Sequence, residues 1–126
     1  MRTFPSVMKT ASSVLALAGC LAIVPATVAA AETGATSVVE QGKAVAFDRK
    51  KGNCLACHAI EGGNLPGNIG PPLVAMKARF PDKAKLRAQI WDSTTLNPNS
   101  IMPPFGRHQI LSESEIDKIV EFIYTL

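Results

Sequence analysis

The sequence predicts an all-α domain. No stretch alternates apolar and polar residues with period two for long, so none reads as a half-buried strand. Ile116, Ile119, Val120 and Ile123 recur at helical spacing behind Ser112-x-x-Glu115, the pattern of a capped helix start. The third observation is Cys54-Leu55-Ala56-Cys57-His58, around which the rest of the chain is arranged. C-x-x-C-H is the attachment pattern of a c-type haem. On a turn of helix, residues three and four apart share a face. Cys54 and Cys57 then present both thiols to the two vinyl groups of one porphyrin. His58 comes to lie under the iron as a ligand through a neutral ring nitrogen.

Two other uses of C-x-x-C are disfavoured. Half of a zinc site needs a second half, and the only further cysteine is Cys20. A thioredoxin-like redox pair needs a βαβ context that the pattern does not offer.

The chain has 126 residues, enough for one small domain. Residues 1–30 read as a signal peptide. Arg2 and Lys9 form a positive start, Val14 to Val24 an apolar run too short to span a bilayer, and small residues follow at Val28-Ala29-Ala30. Cleavage near Ala30 or Ala31 places the protein in a bacterial periplasm. Leu17-Ala18-Gly19-Cys20 is the alternative, a lipoprotein signal with Cys20 lipidated; the apolar run continuing through Ile23 and Val24 favours ordinary cleavage. Cleavage leaves 11 basic against 10 acidic residues, so net charge gives no case for nucleic-acid binding, and no membrane span is expected.

Residues 31–37 read as a polar linker and 38–126 as the domain. The first helix is expected from Val38 to about Lys51. Gly42 in its middle suits a close helix crossing, and Val45 and Phe47 supply apolar contacts. Glu61 to Pro72 is rich in Gly and Pro and reads as a loop. A ligating histidine usually donates its second ring N–H to a carbonyl, and the Pro71 carbonyl is the candidate acceptor from His58. Leu73, Met76 and Phe80 follow helical spacing. Pro81 and Asp82 suit the first turn of another helix carrying Leu86, Ile90 and Trp91. Asp92 to Ser100 reads as a second loop, and Tyr124 is expected near the first helix. Lys77, Arg79, Lys83, Lys85 and Arg87 cluster, while Glu113, Glu115, Asp117 and Glu121 make the tail acidic. The basic run is a solvated face or a docking patch for an acidic partner.

The second loop leads into Ile101-Met102-Pro103-Pro104-Phe105-Gly106. Pro103 biases Met102 towards extended backbone, and the fixed φ of both prolines stiffens the strap. Met102 is therefore the candidate second iron ligand, opposite His58, filling the sixth site and raising the potential. Met76 reads as core, and His108 is the competing ligand.

These residues in this order resemble class I cytochromes c. More narrowly, GPPLVAMKARFP at 70–81 and IMPPFGRH at 101–108 resemble the SoxX family, the small monohaem subunits of the SoxAX cytochrome complexes of bacterial sulfur oxidation. Class I cytochromes often show Gly-x-x-x-aromatic in the first helix; here Gly42 and Phe47 are one residue further apart.

The resemblance implies a class I cytochrome c-like fold around one covalent haem c. It also implies a partner, a dihaem or monohaem SoxA subunit forming a heterodimer. The implied reaction is that of an L-cysteine S-thiosulfotransferase, the oxidative coupling of thiosulfate to a cysteine of the carrier SoxYZ. The chemistry then sits on SoxA, and this chain relays electrons to a downstream soluble cytochrome, contributing no catalytic residue. Both cysteines after cleavage are committed to haem, so no thiol is left here to hold sulfur. The other reading is a free monomeric periplasmic cytochrome shuttling electrons between redox proteins. A ligand-binding or peroxidase-like domain would need the open iron site that Met102 fills.

Overall fold

The computed structural model describes residues 36–126; the expected signal peptide at 1–30, Cys20 and most of the expected linker lie outside this range. Four α-helices and two 3-10 turns make up the regular structure, with no strand among the described residues. Helix α1 spans Val38–Phe47. Its start is fixed by a capping box that sequence reading passed over. Ser37 accepts from the Glu40 amide at 3.2 Å, and Glu40 accepts from the Ser37 amide at 3.0 Å. The helix stops well short of Lys51. Asp48 is extended and its carboxylate takes the Lys50 amide, while the Gly52 and Asn53 amides fold back onto the Val45 and Asp48 carbonyls.

Helix α2 is a single turn, Met76–Arg79, with Leu73 before it and Phe80 at its end. Helix α3 is Lys83–Trp91. Asp82 stands outside its first turn as the cap, accepting from the Ala84 amide at 2.9 Å. The second loop contains a 3-10 turn, Ser93–Thr95, capped by Asp92. Helix α4, Glu113–Ile123, opens on the Ser112/Glu115 box and buries Ile116, Ile119, Val120, Phe122 and Ile123.

The main packing contact is α1 across α4. A Cβ on Gly42 would lie 1.9 Å from the Lys118 carbonyl oxygen, so the backbones touch where only glycine fits. Ala46, one turn on and fully buried, occupies the place where class I cytochromes often carry an aromatic residue. Phe47 still reaches the interface, edge-on to Phe122 with ring centres 5.8 Å apart. Tyr124 packs against the core and is tied to the start of α3. Its hydroxyl donates to the Pro81 carbonyl at 3.0 Å, and the Lys83 ammonium sits 4.8 Å from its ring centre.

The two opposite charge runs meet each other. Lys83 pairs with Glu121 at 2.9 Å, and Arg87 pairs with Asp117 at 2.6 Å and Glu113 at 3.1 Å. Two of the five residues of the basic run, Lys83 and Arg87, are thus paired within the α3–α4 contact. Lys51 pairs with Glu115, tying the segment before Cys54 to the start of α4. That pairing, with the Ser112 amide second, holds the Glu115 carboxyl down at about 2.

Candidate functional site

Asn53 adopts a left-handed conformation, φ 46°, and turns the chain into the 3-10 turn Cys54–Ala56. The Cys57 and His58 amides both donate to the Cys54 carbonyl, at 3.2 and 2.9 Å. In a 3-10 turn residues i and i+3 eclipse, so Cys54 and Cys57 line up on one side. Both are free, part-buried thiols. Burial pushes the Cys54 thiol up to about 11, the opposite of the lowered value a redox-active C-x-x-C pair uses.

The glycine- and proline-rich loop is fastened directly to this turn. The Gly67 amide donates to Leu55 at 2.7 Å, Gly70 to Cys57 at 2.8 Å, and Leu73 to Ala59 at 2.9 Å. The loop delivers the Pro71 carbonyl 2.7 Å from His58 Nδ1. A carbonyl can only accept, so Nδ1 carries the proton and Nε2 keeps its lone pair free. Gly70 lies against the ring, where an added Cβ would come within 2.4 Å of His58 Cε1. Sequence reading gave Gly70 no role, since a glycine in a Gly-Pro loop has an ordinary explanation as a turn residue.

Above the turn lies a cavity of about 540 Å³, within the range of cofactor sites. Cys54, Cys57, His58 and Met102 all border it. Its walls are mainly apolar, drawn from the loops and from α2, α3 and α4, with Leu73, Phe80, Ile90, Phe105 and Ile119 among them. The polar part of the wall comes chiefly from Arg79, Gln89, Asn97, Asn99 and Ser100. An apolar body with a polar margin, two aligned thiols and a free imidazole nitrogen fit a haem. The thiols suit its vinyl groups and the polar margin suits its carboxylates. A second opening of about 290 Å³ shares the two cysteines, His58 and Met102 but is bordered by Arg49, Lys50 and Lys51.

Met102 is half-buried and its strap is held from behind. The fully buried Ser93 hydroxyl donates to the Met102 carbonyl at 2.7 Å. Gly106 accommodates the Trp91 ring, which would lie 2.1 Å from a Cβ there. Nothing in the sequence pattern singled out Ser93, because its function depends on the strap folding back over the end of α3. Met76 also borders the cavity but belongs to the core, 2 % exposed, with its sulfur 3.5 Å from an Arg79 nitrogen. His108 is exposed and borders neither opening.

A helical shell that places C-x-x-C-H against an apolar cavity defines a cytochrome c-like domain, whose function is to carry electrons. Residues 38–123 match the family described as "Cytochrome C oxidase, cbb3-type, subunit III", and the chain belongs to that family of cytochrome c domains. Membership implies a covalent haem, and Cys54 and Cys57 stand in the motif that takes it. The fold is similar to a chain in the crystal structure of SoxXA from P. pantotrophus, with TM-score 0.63 and 28 % identity over 74 % of this chain and 84 % of that one. An uncharacterized lipoprotein of Aquifex aeolicus (strain VF5) is 36 % identical over 76 residues, which cover 60 % of this chain and 37 % of the relative. No helix among the described residues is long and apolar enough to cross a membrane.

Proposed function

We propose that this chain is the electron-relay subunit of a SoxAX-like complex that couples thiosulfate to a cysteine of a SoxYZ-type carrier. The observation that carries the reading is the likeness to a chain of SoxXA, which covers 84 % of that chain. Coupling a thiol to thiosulfate forms one S–S bond and releases one proton and two electrons. When bound, the haem supplies a one-electron centre, so two relay steps serve each turnover. The residues of this chain hold and tune that centre. Cys54 and Cys57 would hold it through two thioethers, and His58 Nε2 and the Met102 sulfur would be the groups that ligate its iron. The Pro71 carbonyl keeps the His58 tautomer and ring orientation, which raises the basicity of the ligand. Neither cysteine is left to carry sulfur, which assigns substrate chemistry to the SoxA partner.

Residues 1–30 direct export to the periplasm and 31–37 link to the domain at 38–126. The lipoprotein name of the Aquifex relative supports the other fate of the leader, lipidation of Cys20. Intact mass of the native protein separates the two, since diacylglycerol on Cys20 adds to the mass and anchors the chain.

The family match supports a second reading, a free periplasmic carrier serving respiratory proteins. Reconstitution tests the first. With purified SoxA and SoxYZ, thiosulfate should reduce this haem only when the carrier cysteine is present, and the chain should elute with SoxA. A chain that elutes alone, and is reduced no faster with SoxA than without it, is the shuttle instead.

A further inference from the structure

We infer that Asp92 and Arg107 are positioning residues for Met102: they clip together the two ends of the strap that carries it, and so govern how readily the methionine leaves the iron. The inference rests on the proposed ligation by Met102. Residues 93–106 contain no charged or titratable side chain, and the residues on either side of them are Asp92 and Arg107. These two meet, with Arg107 Nη1 3.2 Å from Asp92 Oδ2. Compact surface loops whose ends lie together are frequently functional units. Neither residue borders the cavity or the second opening, so both act on the iron site through the strap.

A helix cap needs one carboxylate oxygen, and Asp92 uses both. Oδ1 accepts from the Thr94 amide at 3.0 Å and from the Thr94 hydroxyl at 2.5 Å, which fixes the first turn of the strap. Oδ2 is left for the guanidinium arriving from the far end. The backbone beneath repeats the arrangement. The Trp91 carbonyl, freed by the end of α3, accepts from the Gly106 and Arg107 amides at 3.1 and 3.3 Å. Every described hydrogen bond from residues 93–106 to the chain before them ends on Trp91 or Asp92. The bonds that shape the strap between its ends, such as Ser93 to Met102 and Asn97 to Ser93, lie within it. The strap therefore hangs from two consecutive residues and can open there as one piece.

The clip is charged at neutral pH. The Thr94 hydroxyl and amide, followed by Arg107 and His108, hold the Asp92 carboxyl below the usual carboxylate range. The Asp92 side chain is 14 % exposed and that of Arg107 52 %, so the pair sits at the edge of solvent. An ion pair of this kind changes an equilibrium by a factor of about five at most. Such a factor is small beside the stability of the whole fold. It is felt where a single neck is all that must open.

The test is stopped-flow mixing of the ferric holoprotein with imidazole at about pH 8. The observed rate should level off at high imidazole, where opening of the strap becomes limiting. Asp92→Asn keeps an oxygen for Thr94 but removes the charge that faces Arg107. It should raise both the imidazole affinity and the limiting rate, the affinity by about three- to fivefold. Arg107→Gln should do the same, and the double variant should go no further than about twofold beyond either single one, since both remove one interaction. Asp92→Ala, which also loses the Thr94 bonds, should raise the affinity by about tenfold or more. Should the Asp92 variants fail to assemble, Arg107→Gln at a half-exposed position keeps the test. The inference is overturned if Asp92→Asn or Arg107→Gln leaves affinity and limiting rate unchanged, whatever happens to the unfolding temperature, because the pair then supports the fold alone. It is also overturned if the two single effects multiply in the double variant, which makes them independent. A wild type without the sulfur-to-iron charge-transfer band removes ligation by Met102, and the inference with it. A wild type with the band and unmoved variants removes the clip and keeps the ligand.

Discussion

Replacing Ser93 by Ala should loosen the Met102 strap without touching either proposed ligand. The hydroxyl is fully buried and donates to the Met102 carbonyl at 2.7 Å. The Ser100 hydroxyl, 3.3 Å from the Met102 amide, accepts from that amide and serves the other side of the peptide. A buried acceptor left without its donor costs about 1–3 kcal/mol. The bond exists only while the strap lies against the end of α3, so the whole loss falls on the closed, Met-ligated arrangement. At about 1.4 kcal/mol per factor of ten, that is a weakening of about 5- to 150-fold. Imidazole competes with Met102 for ferric iron, so its apparent affinity should rise by that factor, read from loss of the sulfur-to-iron charge-transfer band. Ser100→Ala should change it by less than about threefold, since that bond is long and partly exposed. Thermal unfolding of Ser93→Ala should fall by about 4–8 °C for each kcal/mol lost. An unchanged imidazole affinity with a lowered unfolding temperature would show that Ser93 supports the core alone. If both are unchanged, the reasoning about the strap is wrong.

Three further perturbations separate the parts of the fold. Met102→Ala should abolish the charge-transfer band and open the sixth site, while Met76→Leu, conserving volume in the core, should leave the spectrum intact and cost less than about 1.5 kcal/mol; the reverse result moves the distal ligand to Met76. Gly42→Ala gains up to about 1 kcal/mol of helix propensity but forces apart two backbones that no rotamer change can relieve, so a net loss of about 2 kcal/mol is expected in urea unfolding, and equal or greater stability would contradict the crossing. Glu115 titrates well below its ordinary 4.5, at about 2, so its stabilisation is complete above about pH 4.5 and is lost as pH falls towards 2. Glu115→Gln should accordingly lower the unfolding temperature at pH 7 and narrow the difference between pH 7 and pH 3; an unchanged difference would show that the Lys51 pairing does not govern acid stability.

The primary sequence alone sufficed for the helical class, the haem motif, the Ser112/Glu115 helix start and the close crossing at Gly42. Each of these is written in local chemistry: a spacing of thiols and imidazole, a hydroxyl three residues from a carboxylate, a missing side chain in a helix. Tertiary structure decided the features that depend on residues far apart in the chain. The end of α1 at Phe47 follows from amides of the next segment folding back, and the place of Tyr124 follows from a carbonyl at Pro81. The charged runs read as open surfaces in the sequence, whereas α3 and α4 set Lys83 and Arg87 against Glu121, Asp117 and Glu113. Gly70 and Ser93 carried no recognisable signal, because a glycine beside a proline and a serine in a polar loop are ordinary until an imidazole ring and a methionine strap are folded onto them. Spacing along a chain specifies which groups can share a turn; only packing specifies which groups from separate turns come within bonding distance.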